Sequence, residues 1–172
     1  MRHILSILVE NRFGELARIV GLFSARGYNI ESLTVAETLD PQTSRVTLVT
    51  SGDDHTVEQI VKQLDKQVRV LSVTDLTALD HIERELALIH VKVSGNERYQ
   101  VMNLVDMFPA RIIDVSENAL TIEATGDRAK VNALLGLLTP FGIHEVVRAG
   151  TLAIPRLPST NVMNDLQAFA TI

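Results

Sequence analysis

At 172 residues, 46% of them hydrophobic and 22% charged, the chain has the composition of a globular protein with a core to bury. Its net charge of −5, from 16 Lys and Arg against 21 Asp and Glu spread without long runs, excludes the clustered cations that a nucleic-acid partner needs. The absence of Cys rules out disulfides, thiolate metal sites and a Cys nucleophile, and with 4% aromatics and no Trp the core falls to Val, Ile and Leu.

Met1-Arg2-His3-Ile4-Leu5 opens an apolar run that soon meets Glu10, Asn11 and Arg12. That run is too short for a signal peptide or a membrane span, so no membrane contact and a cytoplasmic location are expected. Residues 3–10 read as a first strand. Leu16, Ile19, Val20 and Phe23 then recur at i, i+3, i+4 and i+7, the stripe of a helix covering a core on one side, and Gly27 follows as its stop. Strands at 29–38 and 44–51 flank the turn Leu39-Asp40-Pro41-Gln42. Asp53 or Asp54 caps a second helix striped by Val57, Ile60, Val61 and Leu64, and a fourth strand covers 68–75.

The same order then returns. A strand at 83–94 leads to a helix capped by Asn96, striped by Val101, Leu104, Val105 and Phe108, and stopped by Pro109. Strands at 110–115 and 119–125 surround the turn Ser116-Glu117-Asn118. Asp127 caps a last helix striped by Val131, Leu134, Leu135 and Leu138, followed by a strand at 142–149.

Each half therefore reads βαββαβ. Two crossover helices around a central hairpin give an α+β fold of two ferredoxin-like domains, each a four-stranded antiparallel sheet with two helices on one face. The expected domains are 1–76 and 77–150, joined tightly near 76–82, where there is no Gly or Pro. A tail follows at 151–172, with a short helix expected at 162–169. A half of about 75 residues with a bare sheet face is barely stable alone, so pairing between halves or between chains is expected.

Signs of catalysis are missing. His3, His55, His81, His90 and His144 are scattered, with no two at i, i+4, and no nucleophile elbow, phosphate-binding loop or dinucleotide fingerprint is present. Glu83 and Glu85 fall on one face of a strand, with Arg84 on the other, and Met102 and Met107 read as gap fillers beside the third helix. No catalytic residue, metal ligand or cofactor is assigned to this chain.

One loop suits capture of a zwitterion. Between the first strand and the first helix stand Asn11 and Gly14. A helix N-terminus offers unpaired N–H groups to a carboxylate, Gly14 permits close backbone approach, and Asn11 carries a donor and an acceptor on a short arm. After that helix, Asn29 and Ile30 open an edge strand and could face the 11–14 loop of a second chain. On the residues alone, the favoured reading of these positions is plainer: Asn11 and Gly14 shape a strand-to-helix turn, and Asn29 starts a strand.

The run from Ile4 to Asn11, Gly14-Glu15-Leu16-Ala17-Arg18-Ile19, and Arg26-Gly27-Tyr28-Asn29-Ile30-Glu31-Ser32-Leu33-Thr34-Val35 together resemble an ACT domain, and more narrowly the regulatory subunit of acetohydroxyacid (acetolactate) synthase. Asp40-Pro41, Gln59-Ile60, Glu83-Arg84-Glu85-Leu86-Ala87-Leu88-Ile89 and the stretch 115–126 extend the likeness over residues 2–150. The resemblance implies a noncatalytic, homodimeric subunit that activates a separate catalytic chain and confers valine feedback inhibition in branched-chain amino-acid biosynthesis. It implies an effector site at Asn11, Gly14, Asn29 and Ile30 between paired chains. Thiamine diphosphate, FAD and magnesium would belong to the catalytic chain. Phe13 departs from the proline common at that place in the family, and a freer loop lowers the expected effector affinity. Two other readings compete: a stand-alone ACT-type amino-acid sensor acting on another enzyme, and a small enzyme on the same scaffold.

Overall fold

A computed structural model describes residues 1–157. The first half runs β1 (Arg2–Glu10), α1 (Glu15–Ala25), β2 (Ile30–Glu37), β3 (Thr43–Ser51), α2 (Asp54–Leu64) and β4 (Val70–Asp75). The second repeats it as β5 (His81–Lys92), α3 (Glu97–Asp106), β6 (Ala110–Val115), β7 (Ala119–Gly126), α4 (Arg128–Leu138) and β8 (Ile143–Arg148), then adds β9 (Leu152–Pro155). The sheets have the same antiparallel order, β2-β3-β1-β4 and β6-β7-β5-β8. This is the expected pair of ferredoxin-like units.

One face of each sheet meets its two helices. Leu5, Ile7, Val9, Val46 and Leu48 pack against Ile19, Leu22, Phe23, Val57, Ile60 and Leu64 in the first half. Ala87, Ile89, Val91, Leu120 and Ile122 pack against Val101, Val105, Val131, Leu134 and Leu138 in the second. Each fully buried side chain of this kind contributes about 1.5–3 kcal/mol before entropy is set against it. Asp53 and Asp127 cap α2 and α4, accepting from the N–H of Thr56 (2.6 Å) and of Lys130 (2.8 Å). Asn96 occupies the cap position of α3 without bonding there, and Glu97 instead takes the N–H and hydroxyl of Ser94.

Three details differ from the sequence reading. In α1 the buried face is rotated: Leu16 is 40% exposed, whereas Glu15 is buried and ion-paired to Arg69 at 2.9 Å. The Arg69 guanidinium, with Arg18 3.7 Å away, gives the buried Glu15 carboxylate the paired charge that burial demands. Met102 and Met107 lie largely on the surface instead of filling gaps. The segment after Gly150 is not simply a tail, because its first residues form β9, pairing antiparallel with residues 81–84 of β5. The early part of β5 lies beyond the reach of β7 and β8, and β9 supplies the ladder partner that its backbone needs. The helix expected at 162–169 lies outside the described residues.

The second face of the first sheet is not left bare. Ile4 and Val49 on that face meet Leu76 and Ala153, and Thr151 is buried beside them. The two halves of one chain thus cover part of the surface for which a partner was expected. No helix among the described residues is long and apolar enough to cross a membrane.

Candidate effector site

The loop after β1 is held by the turn between β2 and β3. The backbone N–H of Asn11 donates to the Gln42 carbonyl at 2.6 Å. Its side-chain amide donates to Glu37 Oε1 at 3.0 Å and to the Pro41 carbonyl at 2.9 Å. Both amide hydrogens are spent within the chain, so the amide oxygen is the group left to accept from a ligand ammonium. This narrows the role open to Asn11, because the residue type alone allowed a carboxylate partner too.

Gly14 occupies the N-cap of α1 with φ 88° and ψ −8°, a left-handed conformation that a Cβ disfavours. It has no side chain to cap the helix, and among the described residues the N–H groups of Leu16 and Ala17 have no acceptor. These donors and the positive end of the helix dipole suit a carboxylate. The charged side chains nearby balance. Arg69 pairs with Glu15 (2.9 Å) and approaches Glu10 (3.9 Å), Arg12 pairs with Glu10 (3.0 Å), and Arg18 lies 3.7 Å from Glu15. Glu37 lies against Asn11. With three guanidiniums against three carboxylates, anion capture here rests on oriented backbone dipoles instead of net charge. Phe13, at the tip of the loop, is wholly exposed.

Asn29 and Ile30 are placed by the turn out of α1. Tyr28 N–H donates to the Phe23 carbonyl at 3.0 Å, and the two rings meet edge to face with centroids 6.1 Å apart. The hydroxyl of the fully buried Thr50 donates to the Asn29 carbonyl at 2.6 Å. The Asn29 side chain is exposed, while Ile30 is half-buried against its own core. Part of Ile30 is therefore already committed to the fold.

The structure brings Asn11 and Gly14 together and Asn29 and Ile30 together, but it keeps the pairs apart. Asn11 bonds Glu37 at the last residue of β2, whereas Ile30 is its first. Seven steps of about 3.3 Å place them about 23 Å from each other along the strand. Among the described residues β2 lies at the edge of its sheet, with no strand on one side of its backbone. The sequence reading passed over Glu37, Pro41 and Thr50. Glu37 and Thr50 read as ordinary strand residues and Pro41 as an ordinary turn residue; only the register across the sheet shows what they hold.

The carboxylates of the 83–85 segment serve as anchors. Glu83 pairs with Arg2 at 2.9 Å, and the buried Glu85 pairs with Arg148. Among the described residues no group of three or more His, Asp or Glu is placed to hold a metal ion.

Two family models cover most of the chain. The model described as an AHAS small subunit-like ACT domain matches residues 5–72, and that described as the small subunit of acetolactate synthase matches residues 84–157. The acetolactate synthase small subunit of Mycobacterium leprae is 47% identical over 156 residues, 91% of this chain and 92% of that protein. A probable acetolactate synthase small subunit of Archaeoglobus fulgidus is 46% identical, covering 91% and 98%. The crystal structure of the acetolactate synthase small subunit of Thermotoga maritima superposes with a TM-score of 0.83 at 40% identity, covering 91% of this chain and 98% of that one.

Proposed function

Since the chain belongs to the acetolactate synthase small-subunit family, whose role is regulatory, we propose that it activates a separate thiamine-dependent catalytic subunit and makes it sensitive to valine. The chain itself performs no chemistry in this reading. The effector is a small amino acid held between two copies of the chain.

The observation that carries this reading is the separation of the two residue pairs along a free edge strand. If two copies join antiparallel through β2, the start of one β2 lies beside the end of the other. Asn29 and Ile30 of one copy then face the Asn11 and Gly14 loop of its partner. The helix N–H groups take the carboxylate, the Asn11 oxygen accepts from the ammonium, and a short branched side chain fits near Ile30. Neither copy completes the site alone, so effector binding reports on, and stabilises, the paired state.

Reconstitution tests this. Adding the chain to an acetolactate synthase catalytic subunit should raise acetolactate formation, and valine should then depress it. Pure chain supplied with pyruvate, thiamine diphosphate, FAD and magnesium should form no acetolactate; turnover there would end the regulatory reading. Sedimentation should show at least a dimer, and a stable monomer at micromolar concentration would remove the interfacial site.

A further inference from the structure

The effector strand is bolted to the second half of the same chain. The register between β2 and β3 shifts between Ile30 and Ser32, a bulge directly after the proposed effector residues. A bulge re-aims the side chain it contains. Here Glu31 accepts from the Ser51 hydroxyl and pairs with Arg128, the first residue of α4, at 2.8 Å. From the next residue on the strand is gripped again. The Ser32 hydroxyl accepts from the N–H of Thr151 at 2.8 Å, and the Thr34 hydroxyl donates to the carbonyl of Thr151 at 2.5 Å.

The contact is also close in a steric sense. A Cβ at Gly150 would lie 2.9 Å from the Ser32 oxygen and 3.0 Å from the Leu33 carbonyl oxygen, so only glycine lets the link between β8 and β9 reach the backbone of β2. Thr151 is buried and also receives a hydrogen bond from Arg2 at 3.3 Å. Residues 31–34 therefore touch the second half at two places distant in its chain, the start of α4 and the start of β9. A displacement of β2 by a ligand must either carry both along or break an ion pair and two part-buried hydrogen bonds to the buried Thr151.

We propose that residues 31–34 of β2, clasped by Arg128 and by Gly150–Thr151, are the relay through which the effector site acts on the second half of the chain. The inference rests on the effector reading above and adds to it the path by which occupancy leaves the first half. Arg128 and Thr151 are positioning residues in this account, since neither reaches the effector. Coupling between sites needs an element whose position both ends bias, and β2 meets that condition.

The test uses the full-length chain, with valine as the probe. Valine binding is measured by calorimetry, and amide hydrogen exchange is followed across α4 and β9 with and without valine. The same proteins are assayed for valine inhibition after reconstitution with the catalytic subunit. In the parent chain, valine should change exchange in α4 and β9. Arg128→Ala and Gly150→Ala act on independent contacts, and each should bind valine within about twofold of the parent while the half-inhibitory concentration rises about fivefold or more, the lower end of typical coupling. Arg128→Lys keeps the charge and should largely restore the response. If the parent binds valine but exchange beyond residue 76 is unchanged, or if both alanine variants keep full inhibition, the relay is wrong and the effector site stands. If the parent binds no valine, the effector reading falls and the relay falls with it.

Discussion

Gly14→Asp adds a carboxylate where the ligand's own carboxylate is proposed to sit. Its structural cost is limited. A Cβ at Gly14 meets nothing within 4 Å, so the penalty is that of an L-residue at φ 88°, about 1–2 kcal/mol and less for Asp than for most residues. Gly14→Ala carries a backbone penalty at least as large without charge and is the control. Two like charges about 4 Å apart repel by about 1 kcal/mol in a water-like medium and by about 4 kcal/mol at an effective dielectric of 20. Relative to Gly14→Ala, valine affinity should fall between about fivefold and about a thousandfold. The introduced carboxylate would also compete for the free N–H groups of Leu16 and Ala17. Calorimetric titration of valine into each variant reads the effect directly, with circular dichroism confirming that both are folded. If Gly14→Asp binds valine as tightly as Gly14→Ala, the carboxylate does not sit at the start of α1.

Further expectations follow from the other half of the site and from the fold. Asn29→His replaces an exposed amide with a bulkier ring while leaving the Thr50 bond to the backbone carbonyl in place, so valine sensitivity should drop with the melting temperature nearly unchanged. Mixing Asn29→His with Gly14→Asp chains should restore one intact site per mixed dimer, and failure of such rescue would argue against a shared interface. Phe23→Ala empties the largest side chain of the first core and should cost about 3–5 kcal/mol in urea unfolding, where a loss below 1 kcal/mol would mean that the core is not packed as described. The Ser51 hydroxyl and then the Arg128 guanidinium hold the Glu31 carboxyl below its ordinary value of 4.5. A depressed folded pKa contributes stability that is present above 4.5 and lost as pH falls through the folded value. Glu31→Gln should accordingly be less stable than the parent at neutral pH, with the gap closing below 4.5; a constant gap would assign the loss to packing.

The repeat of helix stripes, the Asp caps and the turn residues were legible because they depend on neighbours within a few positions. The four proposed site positions came only from likeness to a family, since an Asn and a Gly before a helix have the same local chemistry in a plain turn. The misread elements had long-range causes. Leu16 continued the apolar period of α1, but it is 40% exposed, while Glu15 is buried because Arg69, far along the chain, pairs with its carboxylate. Likewise, Leu152–Pro155 is too short to show a strand period and becomes β9 only because residues 81–84 lack a partner.

The sequence by itself determined the two βαββαβ units and their helix-facing cores, because apolar spacing and capping chemistry act over one or two turns. Tertiary structure alone decided that Asn11 and Ile30 stand at opposite ends of an edge strand, that Asn11 has only its oxygen left to offer, and that Glu31 reaches Arg128 across 97 residues of chain. Those facts come from strand order and register. Register is set by the summed burial of whole faces, and no short segment carries enough of that energy to reveal it.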